Sequence, residues 1–239
     1  MTTSIDAIGV VIPAHNEQEL LAACLQAVEI AALAPRRRGI RVDIVVALDA
    51  CDDASADIAD GLGVHTVALD ARCVGIARQE GTRAALARLH GTDPARVWLA
   101  HTDGDSVVPP NWLSHQLRLG RRGADVVIGT VRPDFRDLSE AQQDAWWRTH
   151  TPGVANGHVH GANLGIRAST FLAAGGFTAA PVHEDVLLVE AARAAGAKAV
   201  ASDAAWVRTS GRSVGRAPDG YARYLRDDLI PLAESTTPG

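Results

Sequence analysis

The residues of this sequence best placed for chemistry are carboxylates. Asp103-Gly104-Asp105 follows the apolar stretch Val97 to Ala100, so two carboxylates one residue apart stand at the tip of a buried run. Such a pair offers hard oxygens to a divalent cation, which typically takes one or two carboxylates and completes its shell from substrate phosphates. An Asx turn accounts for one of these aspartates more readily than for both. A second group, Asp49-Ala-Cys-Asp52-Asp53, ends a β-branched run. Asp52 and Asp53 read as capping charges of the next helix, whereas Asp49 lies before the turn, where it would hydrogen-bond a base or ribose. Glu184 and Asp185 precede Val186, Leu187 and Leu188 and carry the negative charge that suits a helix start.

The loop after the first apolar run, Ile12-Pro13-Ala14-His15-Asn16-Glu17, lacks the G-x-G-x-x-G with which a dinucleotide fold cradles a pyrophosphate. Its polar Asn16 and Glu17 suit a nucleobase or ribose instead. Lys198 is the one lysine among 23 basic residues, so nearly every cation is a guanidinium, whose fork fits phosphate or carboxylate. Codon bias accounts for most of these arginines. Arg78 lies in a Gly75-x-x-Arg78-x-x-Gly81 spacing. Arg212 and Arg216 lie in a glycine-containing loop that either closes on a diphosphate or is simply solvated. Trp146 and Trp147 are adjacent, and on a helix they cannot both face the core. Trp147 is the candidate stacking wall for an acceptor, with packing beneath a loop as the alternative. His158 and His160 alternate as in a strand and read as polar groups beside an acceptor pocket more readily than as metal ligands.

The elements that must position these groups alternate. Ile8 to Ile12, Val42 to Leu48, Val64 to Leu69, Val97 to Ala100 and Val126 to Val131 read as buried strands. Helices are predicted through Leu21, Cys24, Leu25, Val28 and Ala32, and over Ala54 to Gly61, Val74 to Leu89 and Ser139 to His150. This alternation predicts an α/β fold: a mostly parallel twisted sheet with helices on both faces, forming a single domain of two lobes. Such sheets hold ligands at the carboxyl ends of their strands. No repeat or linker divides the 239 residues, and 47% hydrophobic against 21% charged residues excludes a disordered or fibrous chain. A net charge of -5 has the wrong sign for binding phosphate backbones, so no nucleic-acid partner is expected. Cys24, Cys51 and Cys73 are odd in number and scattered, which fits a reducing compartment. The amino-terminal stretch lacks a basic n-region and a long apolar run. A cytoplasmic protein without a transmembrane segment is expected, with peripheral membrane contact left open.

In one fixed order the sequence carries Ile12 to Glu17, the Asp49 group, Arg72 to Ala84, Asp103-Gly104-Asp105, His160 to Arg167, Gly175-Gly176-Phe177 and His183-Glu184-Asp185. Over roughly residues 8–216 this order resembles family two glycosyltransferases of the GT-A fold. The resemblance implies a nucleotide-sugar-binding half over about 1–105, an acceptor half over about 106–216, and a C-terminal helix and tail over 217–239. It implies transfer of one sugar from a UDP- or GDP-sugar to an acceptor hydroxyl, inverting and dependent on Mn2+ or Mg2+. Pro13, Ala14, Asn16, Glu17 and Asp49 would line the nucleoside. Arg78 would approach the nucleotide, with a place on the helix surface as an equal reading. Asp103 would face ribose or metal, and Asp105 would be the more direct metal ligand. Gly161 to Asn163 would floor the site near donor sugar and acceptor. Asp185 would be the general base, with Glu184 beside it at the acceptor.

The family pattern is not met everywhere. Glycine between the two aspartates is unusual, and no histidine follows Asp185 to complete a metal shell. The Q-x-x-R-W of processive polymerases is missing as well, which favours transfer of a single sugar. Two rivals stand beside this reading. A sugar nucleotidyltransferase would carry a Gly-rich phosphate loop with a basic residue after the first strand; the other rival is a non-catalytic nucleotide-sugar-binding protein.

Overall fold

Runs rich in Val, Ile and Ala cannot leave either face of a strand in water. In the computed structural model, which describes residues 4–180, 182–215 and 220–235, they lie side by side beneath helices. The strands are β1 (Ala7–Ala14), β2 (Arg41–Asp49), β3 (His65–Leu69), β4 (Val97–His101), β5 (Ser106–Val107), β6 (Val126–Pro133), β7 (Leu164–Arg167) and β8 (Ala199–Thr209). The helices are α1 (Leu21–Arg37), α2 (Ser55–Gly61), α3 (Val74–Arg88), α4 (Trp112–Arg121), α5 (Glu140–Thr149), α6 (Ala168–Ala173), α7 (Glu184–Ala194), α8 (Tyr221–Arg223) and α9 (Leu229–Ser235). The strands form one sheet in the order β3-β2-β1-β4-β7-β6-β8-β5. β3, β2, β1 and β4 run parallel to one another, as do β6 and β8, while β7 and β5 run antiparallel to their neighbours.

β1 is buried along its whole length and feeds two cores by alternation. Ile8, Val10 and Ile12 pack with Leu25, Val28, Trp98 and Trp112 beneath α1 and α4. Ala7 joins Leu99, Ile166, Phe171 and Leu188 on the opposite face. Each fully buried Leu, Ile or Phe contributes about 1.5–3 kcal/mol, which is why these two layers dominate the energetics. A smaller cluster of Leu138, Trp146, Leu225 and Leu229 fastens α5 to α9.

The strands and helices expected in the first half appear within a few residues of their expected bounds. α1 continues beyond Ala34 to Arg37, and Ser139 caps α5 through a reciprocal capping box with Gln142. Two differences concern the second half. The alternating His158 and His160 do not form a strand: Gly157 takes a φ of 76°, and the chain runs irregularly into the 3-10 turn at Gly161–Asn163. β7 and β8 lie outside the strands read from the sequence, and β8 alternates buried with exposed residues instead of presenting an apolar run. Among the described residues, no helix is long and apolar enough to cross a membrane.

Candidate active site

Parallel strands end together, so the loops after β1, β2 and β4 meet at one edge of the sheet. There they are joined by the first turn of α7 and the end of β8 around a cleft of about 710 Å³. Among the described residues, four non-glycine residues have positive φ: Asn16 (54°), Ala50 (52°), Arg72 (50°) and His183 (62°). All four stand in or next to the wall of this cleft. Left-handed backbone at non-glycine residues costs on the order of 1–3 kcal/mol each and concentrates where a site fixes its loops. Gly104 explains its own departure from the family pattern. A Cβ there would lie 3.3 Å from both the Pro13 carbonyl and Glu17 Cγ, so glycine lets the acidic turn close onto the β1 loop.

Two guanidinium groups organise the carboxylates. Arg78, 2% exposed, donates through Nε to Glu184 Oε1 (2.8 Å), through Nη2 to Asp103 Oδ1 (2.5 Å) and through Nη1 to the Gly161 carbonyl (3.2 Å). Burial works against its charge, but Asp103, Glu184 and Asp185 outweigh burial and raise its pKa. Arg212 forks onto Glu17 at 2.9 and 2.8 Å, and its Nη2 lies 3.0 Å from Asp105 Oδ2. The other oxygen of Asp105 accepts from the Ser106 and Thr209 hydroxyls, each at 3.2 Å. Burial, reinforced by Asp103 and opposed by Arg212, pushes the Asp105 carboxyl up to about 6. Asp185 accepts from the Gly161 amide at 2.5 Å and from the Val186 amide at 2.8 Å. Burial also raises the pKa values of Asp185 and Glu184, with Arg78 opposing in both cases. Gly161 is therefore the hinge of the arrangement, its carbonyl held by Arg78 and its amide by Asp185. A Cβ at Gly161 would stand 2.2 Å from Arg78 Nη2.

Pro13, Ala14, Glu17, Asp49, Arg78, Asp103, Asp105, Gly161, Glu184, Asp185 and Arg212 all line the cleft. Asp49 is 4% exposed, and its oxygens accept from the Ala71, Arg72 and Cys73 amides at 2.7–2.9 Å, fastening the β3–α3 loop. Glu184 is turned onto Arg78 and not toward open space. Three of the expected residues stand outside the cleft wall. Asn16 exchanges hydrogen bonds with Asp52, joining the β1 and β2 loops. Asn163 is 2% exposed and points into the core, donating to the Thr130 and Ala205 carbonyls and accepting from Trp112 Nε1. It fills the irregularity between β6 and β8, where a Cβ on Gly129 would meet it at 2.2 Å. Trp147 is 45% exposed and packs on Trp146 and Phe135 away from the cleft, so it is no acceptor wall; buried Trp146 takes the core position. Arg216 lies outside the described residues.

The ring-lined end of the cleft joins His160, expected beside an acceptor pocket, to two tyrosines that sequence reasoning missed. Tyr221 and Tyr224 stack at 5.7 Å, and His160 meets Tyr221 edge-on at 5.7 Å. These are the two tyrosines of the sequence, a scarcity that could have drawn attention to them. His160 is pushed down to about 4 by burial and by His158 and His150, so it is neutral near pH 7.

Comparison with known proteins follows the same outline. Residues 9–173 match the family model for glycosyl transferase family 2. No curated protein sequence matches significantly. Among solved structures, S. aureus TarS 1-349 in complex with UDP-GlcNAc is similar with a TM-score of 0.64 at 15% identity, over 96% of this chain and 66% of that one. The mannosyltransferase PcManGT from Pyrobaculum calidifontis, in complex with GDP-Man and Mn2+, gives 0.61 at 19% identity, over 98% and 74%. M. tuberculosis glucosyl-3-phosphoglycerate synthase in complex with phosphoglyceric acid gives 0.55 at 17% identity, over 96% and 79%. Identities this low speak for the shared fold alone.

Proposed function

The chain belongs to glycosyl transferase family 2, and from that premise we propose that it moves one sugar from a UDP- or GDP-sugar to an acceptor hydroxyl, with inversion and without processivity. The observation that carries this reading is the arrangement around Gly161: Arg78 ties the Asp103 side of the cleft to Glu184, and Asp185 holds the opposite face of the same residue. Donor phosphates and acceptor hydroxyl would meet between them.

Asp103 and Asp105 fit a hard divalent cation. They are carboxylates from one turn, and Asp105 is buried beside a like charge that raises its proton affinity, as expected where positive charge is wanted. Among the described residues no group of three His, Cys, Asp or Glu side chains is arranged to hold a metal ion, and two carboxylates with phosphate and water supplying the rest is a shell that such cations commonly take. When bound, Mn2+ or Mg2+ would neutralise charge growing on the departing diphosphate. Arg212 now forks onto carboxylates, and the same fork suits a diphosphate oxygen pair. Asp185 removes the acceptor proton. Burial strengthens it as a base, and each of its oxygens keeps a second lone pair beyond the amide it accepts from.

A thermal-shift panel of UDP-, GDP- and dTDP-sugars with and without Mn2+ tests the reading. One nucleotide class should stabilise the protein, and chelator should abolish the effect. Asp105→Ala should lose the response, while Asp185→Asn should keep it and lose transfer. No stabilisation by any donor would overturn the proposal.

A further inference from the structure

Arginine is placed unevenly in this chain. Many guanidinium groups face carboxylates, as in Arg36 with Glu29, Arg88 with Asp43, Arg132 with Asp203 and Arg136 with Asp134, while Arg148 and Arg193, without such a partner among the described residues, stand singly on α5 and α7. Arg37, Arg38, Arg118, Arg121 and Arg122 have no acidic partner among the described residues. They gather where α1 and α4 end. There Arg38, Arg118, Arg121 and Arg122, with Asn111 and Ser114, line a concavity of about 470 Å³ whose described wall holds no carboxylate. The helix macrodipole favours cations in a last turn, which accounts for Arg37, Arg118 and Arg121. Arg38 and Arg122 sit at the C-caps, more cation than ending two helices requires.

A second observation lies along α1. Helical spacing sets Ala23, Gln26, Ile30, Leu33 and Arg37 on one stripe, and all five are exposed, Ile30 at 51% and Leu33 at 47%. The neighbouring carboxylate of Glu29 is already held by Arg36. A partly apolar stripe without carboxylates thus runs into a cluster of guanidinium groups that have no carboxylate partner among the described residues, although Arg118 meets His115 Nδ1 and Arg121 the Ile5 carbonyl.

We propose that this face of α1, with the arginine cluster at the ends of α1 and α4, is a docking surface for an anionic lipid bilayer. The guanidinium forks hold headgroup phosphates, and Ile30 and Leu33 rest at the boundary of the acyl region. Charge selects the occupant. A second copy seated on the cluster about a two-fold axis would oppose arginine to arginine, whereas an anionic leaflet supplies the phosphates that the chain's own carboxylates do not. Arg38 precedes β2, so the cluster lies at the amino-terminal end of the parallel strands, opposite the cleft. Docking and donor binding are therefore separable.

Co-sedimentation of the full chain with vesicles tests the proposal, using equimolar phosphatidylglycerol and phosphatidylcholine against pure phosphatidylcholine. The chain should bind the anionic vesicles, bind less as salt rises, and scarcely bind the neutral ones. Each basic residue adds on the order of fivefold to such partitioning, so reversing two exposed charges in Arg118→Glu/Arg122→Glu should weaken binding by more than about tenfold. Ile30→Ser/Leu33→Ser should weaken it as well, with both variants keeping a cooperative melting transition, lowered by at most a few degrees in the arginine variant because glutamate opposes the dipole at the end of α4. Asp105→Ala, in the cleft, should bind vesicles as the unaltered chain does. Equal binding to neutral vesicles, no binding to anionic ones, or indifference to both double variants would overturn the proposal. So would a dimer in sedimentation velocity that Ile30→Ser/Leu33→Ser dissociates.

Discussion

Asp185 and Asp105 are both raised in pKa by burial, with different consequences. A base works ionised, so kcat/KM should fall as pH drops through the pKa of Asp185, with the acid limb displaced upward from that of a free aspartate. Asp185→Asn should remove that limb and cost about a hundredfold to ten-thousandfold in kcat, with the donor-induced thermal shift retained. Normal turnover in a pH–rate profile of the variant would sink the assignment. For Asp105 the linkage concerns stability. Its folded pKa, about 6, lies above the unfolded value, so the stability it lends is complete at low pH and is lost as pH rises through about 6. Under chelator, denaturation curves of the unaltered chain should therefore lose stability relative to Asp105→Asn as pH rises from about 4, the unfolded value, to about 6, the folded one, and a divalent cation should restore it. Both aspartates were legible in the sequence because their motifs sit at predictable element ends. Asn163 was legible only as a place: proximity to the cleft followed from its motif, while the direction of its amide depended on a strand irregularity between β6 and β8 that no local pattern encodes.

Elements carry these side chains only if they approach closely, and α3 shows how a glycine permits it. A Cβ on Gly75 would stand 2.1 Å from the Thr178 carbonyl oxygen and 2.8 Å from that of Ala180, both backbone atoms that cannot rotate away. Gly75→Ala should push α3 from this segment, displace Arg78 one turn later, and cost about 1–3 kcal/mol, typical of overpacking. Gly61, at the end of α2, has nothing within 4 Å of the same added atom, so Gly61→Ala should leave the melting temperature unchanged or slightly higher. Equal responses in thermal denaturation would count against the close-approach argument. The Gly75-x-x-Arg78-x-x-Gly81 spacing was visible from the start, but its meaning was not. Gly81 faces Val11 and Ala47 of the sheet while Gly75 faces a loop, contacts made by residues distant in sequence. The first-half strands were easier to read because strands buried on both faces are unbroken apolar runs. β8 has one wet side and mixes Asp203 and Arg208 into its pattern, so its period-two signal was faint.

Across the whole molecule, the ion pairs of the cleft join segments far apart in the chain: the buried Arg78 of α3 to Glu184 of α7, and the half-buried Arg212 after β8 to Glu17 after β1. Such pairs are poor investments in stability, because desolvating both charges offsets much of their attraction, yet removing one partner strands the other. Arg78 is 3% exposed in its side chain and Glu184 6%, so Arg78→Met should destabilise by about 3–5 kcal/mol, leaving Glu184 and Asp103 uncompensated. Glu184→Leu should cost less, since Arg78 keeps Asp103. Combining the two should cost less than the sum, with a coupling of about 0.5–3 kcal/mol in denaturant titrations, because an apolar pair needs no neutralisation. Strict additivity would mean that the pair does not act as a unit. The double variant should nonetheless lose all donor-induced stabilisation, since Asp103 would have lost Arg78. A fold that survives replacement of this pair while donor binding does not would place the reason for the buried charges in the cleft's ligand and not in the stability of the chain.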